Sequence, residues 1–290
     1  MTITSLGYVR LGITDTEAWQ RFGEDFLGMM RVEGGDPDSL YFRIDHYPPR
    51  LVCTPAAEAS MTALGFEVMN ARELDKVVRD VEAEGIKVTA GSEEECAERR
   101  VKRFVRFDDP AGNHLEIFCG PIFDHVRIQT PKVSGFVTGN QGMGHVIVTA
   151  EDVEAEFDFY NRVLGFVERN TSGPVYFMGC NPRHHTFGIA PRPGPGQLIH
   201  LMLEVAEIDD VGLALDRAAE MEVPMMFSLG KHTNDQMLSF YVYSPENYAI
   251  ECGWNGLQVV EEEPSYEITE GALWGHKFTP PPMPEGAPAP

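Results

Sequence analysis

An α+β protein made from two copies of one module is what this sequence predicts, and three pairs of segments predict it. GYVRLGITDTEAWQRFGEDFLGM, from Gly7, and GHVIVTAEDVEAEFDFYNRVLGF, from Gly144, each open with an alternating strand. Each then passes through a Thr/Asp capping region into an amphipathic helix that closes on Leu-Gly. LGFEVMNARELDKVV, from Leu64, and LIHLMLEVAEIDDVG, from Leu198, each read as a strand followed by a helix. DDPAGNHLEIF, from Asp108, and YSPENYAIECG, from Tyr243, each read as a proline-initiated turn feeding a strand. Pairing Tyr8 with His145, Phe66 with His200 and Glu116 with Glu251 gives separations of 137, 134 and 135 positions, the mark of a tandem duplication of a unit of about 130 residues.

Each element has its own warrant. In the first helix Trp19, Phe22 and Phe26 share a face, and in its copy Val153, Phe157, Tyr160 and Leu164 do so. A strand and helix followed by further strands suggests β-α-β-β-β units, paired within each module on a mixed sheet. The reading sets an N-terminal domain over 1–125, a loosely patterned linker over 126–140 and a C-terminal domain over 141–278. The tail 279–290, TPPPMPEGAPAP, is too rich in proline to pack and is expected to be disordered.

Composition excludes several function classes. The chain of 290 residues carries a formal charge of −22, whereas nucleic-acid binding relies on Lys and Arg clusters that displace counterions. The densest basic run, RRVKRFVR at 99–106, alternates like a strand with one solvated face. No apolar run approaches the roughly 20 residues of a membrane helix, and MTITSLGYVR lacks the basic start of a secretory signal. Five cysteines, odd in number and without a C-x-x-C pair, fit reduced thiols in the cytoplasm.

The chemistry concentrates in the second module. Within SLGKHTNDQMLSFYVYSPENYAIECGW, 228–254, the last strand carries Glu251 between Ile250 and Cys252, where a carboxylate is costly unless something pairs with it. His145, Ile147 and Thr149 share one strand face; His200, Met202 and Glu204 share another; Ala249, Glu251 and Gly253 share a third. Two imidazoles and one carboxylate projected from separate strands match the facial triad of non-haem Fe(II), which leaves positions open for substrate and dioxygen. The first module holds Tyr8 and Phe66 at the paired positions and keeps only Glu116, so the metal site is expected in one half alone.

These residues resemble the type I extradiol ring-cleavage dioxygenases of the vicinal oxygen chelate superfamily, in particular two-module members acting on bicyclic or fused-ring catechols. The likeness runs from SLGY at Ser5 through QGMGHV, CNPRHHT and HTNDQMLSFY to LWGHKF at Leu273. The stretch Gly230–Glu251 approximates the family signature, departing at Ser244 and at Asn247, where Gly is usual; Asn tolerates the left-handed backbone such a turn needs. The resemblance implies tandem vicinal-oxygen-chelate domains, each a half-barrel sheet with helices outside. It implies Fe(II) held by His145, His200 and Glu251, with Mn(II) suited to the same ligands.

By the same resemblance His185, in RHHTF, is the acid–base residue, and His184, on the opposite face of a strand, is structural. His232 and Tyr241 hydrogen-bond the catecholate oxygens. Asn234 and Asp235 lie at the substrate, with Asp235 orienting a histidine, and Ile147 and Phe177 line the aryl pocket. The implied partners are a small-molecule catechol, dioxygen and further copies of the chain, with no nucleic acid and no membrane. Biphenyl, naphthalene, steroid and diterpenoid catechols all stay open, and the segment 166–177 is short beside some relatives. Two other classes compete: a glyoxalase-like isomerase or lyase using Zn or Ni, and a metal-free binder of aromatic ligands.

Overall fold

Four β-α-β-β-β units follow one another along the chain. The computed structural model describes residues 2–259 and 264–281. The first unit runs β1 (Ile3–Ile13), α1 (Thr16–Arg21, continued by a π-turn over Phe22–Phe26), β2 (Met30–Val32), β3 (Leu40–Arg43) and β4 (Leu51–Pro55). The second runs β5 (Ser60–Val68), α2 (Ala71–Ala83), β6 (Thr89–Ala90), an added helix α3 (Glu93–Arg99), β7 (Val101–Asp108) and β8 (His114–Pro121). Together they form one eight-stranded sheet, in the order β2-β3-β4-β1-β5-β8-β7-β6.

The second half repeats this plan. β9 (His145–Ala150), α4 (Val153–Asp158, continued by a π-turn over Phe159–Val163), β10 (Val167–Ser172), β11 (Val175–Gly179) and β12 (Phe187–Pro191) form one unit. β13 (Leu198–Val205), α5 (Ile208–Glu220), β14 (Met225–His232), β15 (Leu238–Tyr243) and β16 (Ala249–Trp254) form the other. Two short strands, β17 (Tyr266–Glu267) and β18 (Ala272–Trp274), are added at the two edges, giving the order β17-β10-β11-β12-β9-β13-β16-β15-β14-β18. Asp15 and Asp152 cap α1 and α4 by accepting from Ala18 N and Ala155 N. Both helices then pass into a π-turn, so the duplication extends to a local irregularity.

Register corrects one of the sequence pairings. Tyr8 and Glu116 both stand opposite Gly65, and His145 and Glu251 both stand opposite Met202. His200 lies two positions before Met202, so its counterpart lies two before Gly65: Ala63, not Phe66. Phe66 projects from the other face, where its ring meets those of Phe166 and Phe187 at 5.5 and 6.1 Å. A ladder fixes which residues correspond, and a slip by an odd number moves a side chain to the opposite face.

Those rings belong to an apolar core that spans both halves, from Ile3 and Trp19 to Phe240 and Ile250. Polar contacts also join the halves: Met143 N donates to Leu6 O at 2.9 Å, and Tyr160 Oη donates to Asp109 at 2.9 Å. The segment 126–140 packs as well. Val133 is buried, Val137 N donates to Glu204 O at 2.8 Å, and the buried Arg183 joins Glu204 to the Val137 carbonyl. At the tail, Thr279 N donates to Met226 O at 2.8 Å, and residues 282–290 lie outside the described residues. The basic run also divides: Arg99 ends helix α3 and is buried, while the strand starts only at Val101.

Candidate metal centre and substrate cavity

β9, β13 and β16 are neighbours, β13 running antiparallel to β9 and parallel to β16. His145, His200 and Glu251 therefore project from three adjacent strands onto one face. His145 Nε2 lies 3.0 Å from His200 Nε2, and Glu251 Oε2 lies 3.2 Å from the first and 3.6 Å from the second. Glu251 is 0% exposed, and its Oε2 has no hydrogen-bond partner. A buried carboxylate oxygen without a hydrogen bond is costly, and a cation held among these three ligand atoms would offset that cost. Ligand atoms bound at right angles by bonds of roughly 2.1 Å stand about 3 Å apart, and the donor set suits Fe(II). The residues fit the group.

Electrostatics agree with a ligand role for neutral imidazoles. Burial, and then His145, pushes His200 down to about 3. Burial and the neighbouring histidines hold His185 well below the usual histidine range. Burial opposes the ionised form of Glu251, but hydrogen bonds and charge from His145 and His232 outweigh it and hold the carboxyl well below its ordinary value.

A cavity of about 410 Å³ opens beside these atoms. Its walls come from strands spread across the ten-stranded sheet, including Ile147 on β9, Val175 and Phe177 on β11, Phe227 on β14 and Tyr241 on β15, so the sheet curls around it. His185, His232, Asn234 and Asp235 supply polar groups near the triad. His232 Nε2 is 2.7 Å from Tyr241 Oη and 3.2 Å from Glu251 Oε1. Burial alone would lower His232, but its hydrogen bond to Glu251 and that carboxylate's charge raise it to about 9. Burial and Glu251 push the Tyr241 phenol well above its ordinary value. His185 stacks against His145 with ring centroids 4.0 Å apart, and its Nδ1 lies 3.8 Å from Asp235 Oδ2.

The three ligand candidates line the cavity, as do Ile147, Phe177, His185, His232, Asn234, Asp235 and Tyr241; Ser172, Val175 and Phe227 line it too and had not been singled out. One expectation fails. His184 and His185 precede β12 in a loop, so strand alternation does not separate them: both are buried, and their Nδ1 atoms lie 3.1 Å apart. Asn247 adopts φ 62, the left-handed turn expected of it, and donates to Ser244 O at 2.9 Å. Sequence reasoning missed Ile268, Gly271, Ala272 and His276, which β17, β18 and their flanks bring over the cavity. LWGHKF, which contains His276, was noted without a role, and Ile268, Gly271 and Ala272 carried no signal.

Fold and site together define a two-domain enzyme of the vicinal oxygen chelate type. Residues 6–55 match the family described as Dihydroxybiphenyl dioxygenase BphC D1, and residues 142–252 match the Glyoxalase/Bleomycin resistance protein/Dioxygenase superfamily. The chain is 43% identical to an iron-dependent extradiol dioxygenase of Rhodococcus jostii, over 96% of this chain and 98% of that one. It is 36% identical to a biphenyl-2,3-diol 1,2-dioxygenase of Metapseudomonas furukawaii, over 96% of this chain and 94% of that one. The crystal structure of BphC, a halotolerant catechol dioxygenase, superimposes with a TM-score of 0.92 at 32% identity, covering 96% of this chain and 95% of that one. The chain belongs to the extradiol dioxygenase family.

Proposed function

We propose that this protein cleaves the ring of a 3-substituted bicyclic or polycyclic catechol outside its hydroxyl pair, using dioxygen at Fe(II) held by His145, His200 and Glu251. The observation that carries the reading is the convergence of three ligand atoms, those of His145 and Glu251 buried and that of His200 partly so, at one end of a cavity whose other walls are largely apolar. Bound there, Fe(II) supplies coordination positions where both catechol oxygens and dioxygen meet, and an electron path between them. Mn(II) would satisfy the same ligands.

The surrounding residues handle protons and orientation. A catechol that chelates through both oxygens must lose protons, and His232 with Tyr241 holds the oxygen charge that results. His185 takes up a proton from the substrate and returns it as the ring opens, a task suited to a buried neutral imidazole. Asn234 and Asp235 line the same end, Asp235 facing His185. Ile147, Val175, Phe177 and Phe227 give the ring substituent an apolar bed and exclude water.

The same reading makes the protein a cytoplasmic homo-oligomer. Five free cysteines support the compartment; no helix among the described residues is long and apolar enough to cross a membrane. The neighbouring exposed side chains of Ile122, Phe123 and Val126 support assembly, which light scattering would measure. For the activity, protein loaded anaerobically with Fe(II) and given 2,3-dihydroxybiphenyl, 1,2-dihydroxynaphthalene or 3-methylcatechol is expected to form a yellow ring-opened product and to take up dioxygen in equal amount. Inertness toward all three would refute the reading.

A further inference from the structure

Three observations single out the C-terminal strap that crosses the cavity. It is hydrogen-bonded to both rims: Ile268 N donates to Thr171 O at 2.8 Å, and β18 pairs with β14, placing Ala272 opposite His232. It holds His232 at two points. Gly271 O lies 3.1 Å from His232 Nδ1, and because a carbonyl only accepts, Nδ1–H donates to it, which turns Nε2 toward Tyr241 and Glu251. The His276 ring lies against the His232 ring, centroids 4.1 Å apart, and is pinned by its own Nε2, 3.1 Å from Ser239 O. Finally, the strap turns sharply to do this: Gly275 and His276 have φ values of 77° and 47°, and backbone in this region is retained where its surroundings enforce it.

The fit also explains Gly230, two positions before His232. A Cβ there would stand 2.4 Å from His276 Cδ2 and 2.5 Å from His276 N. The glycine is the floor on which the strap histidine sits.

We infer that the strap is the positioning element for His232 and that His276 is the positioning residue within it, fixing the His232 ring from the side while Gly271 fixes its orientation through Nδ1. The inference rests on the ring-cleavage reading for its effect on turnover, but not for its geometry. The test compares H276A and G230A with the unaltered protein, and places H276A on an H232A background, all loaded anaerobically with Fe(II) and assayed with 2,3-dihydroxybiphenyl. H276A is expected to lower kcat about ten-fold or more, with iron content and melting temperature unchanged. G230A is expected to lower kcat likewise, and to lower the melting temperature as well, since its methyl meets the strap backbone at His276 N in addition to the ring. On the H232A background H276A is expected to add no loss, because it acts through the missing residue. Unaltered kcat in both single variants, or equal losses in the two backgrounds, would overturn the inference.

A second readout needs no turnover. With Zn(II) in place of iron, the NMR shifts and exchange of the His232 Nδ1–H proton are expected to report a protected hydrogen bond to Gly271 O in the unaltered protein and its loss in H276A; an equally protected proton in both would overturn the inference. A protein that binds metal but is inert to catechols would refute ring cleavage, and the shifts would still decide the positioning role.

Discussion

The two halves solve one electrostatic problem in two ways. In each, a glutamate on the last strand of the second β-α-β-β-β unit points inward: Glu116 on β8 and Glu251 on β16, both buried. In the first half the compensating cation is covalent. Arg99 donates from Nε and Nη2 to the two oxygens of Glu116 at 2.7 and 2.6 Å, and Tyr8 Oη donates at 2.5 Å. The carboxylate is fully paired although a cavity of about 650 Å³ opens beside it, and Ala63 stands where the second half has a histidine. In the second half no arginine replaces Arg99: His232 reaches only Glu251 Oε1, at 3.2 Å, and Oε2, left without a hydrogen bond, faces the ring nitrogens of His145 and His200. A filled bidentate pair makes a scaffold, and a deficit of positive charge beside a cavity makes a metal site.

The largest expected effect breaks the second arrangement. Glu251→Ala should reduce ring cleavage to background, measured as product absorbance, whereas Arg99→Met should leave turnover per folded chain near that of the unaltered protein. Next, His185→Ala should retain iron yet slow kcat by about 10²–10⁴-fold, the typical worth of a positioned proton carrier; stopped-flow assay with iron analysis separates the two.

The first arrangement responds in stability. Arg99→Met strands a buried carboxylate and should cost about 3–5 kcal/mol, read by denaturant unfolding of the iron-loaded protein. Tyr8→Phe removes one hydrogen bond to that charged group and should cost about 1.5–3 kcal/mol.

A pH-dependent effect lies where the halves meet. Burial and the neighbouring Asp109 hold the acid of Glu156 up to about 10, against about 4.3 in an unfolded chain. Between those values the folded protein keeps a proton that the unfolded chain has released, so stability falls as pH rises through that window. Glu156→Gln should flatten that part of a melting-temperature profile; an unchanged slope would locate the proton elsewhere.

Much of this was legible in the sequence because strand and helix periodicities are local and were repeated. His145, His200 and Glu251 could be set on facing strands from alternation alone. What failed was register and long-range pairing. LGFEVMN and LIHLMLE are both apolar runs, and composition does not distinguish Phe66 from Ala63 as the partner of His200; the ladder does. Arg99 looked like one residue of a solvated strand because a helix end adjoins a strand with no break in charge pattern. The strap was invisible since its contacts to β10 and β14 join segments far apart in the chain, and Gly230 shows its reason only once His276 lies over it.

Iron per chain, measured after anaerobic loading and desalting, tests the contrast between the halves most directly. The unaltered protein and Arg99→Met should each retain one equivalent, and His145→Ala, His200→Ala and Glu251→Ala should each retain none. Stoichiometric iron in the three ligand variants, or its loss in Arg99→Met at full folding, would contradict the account.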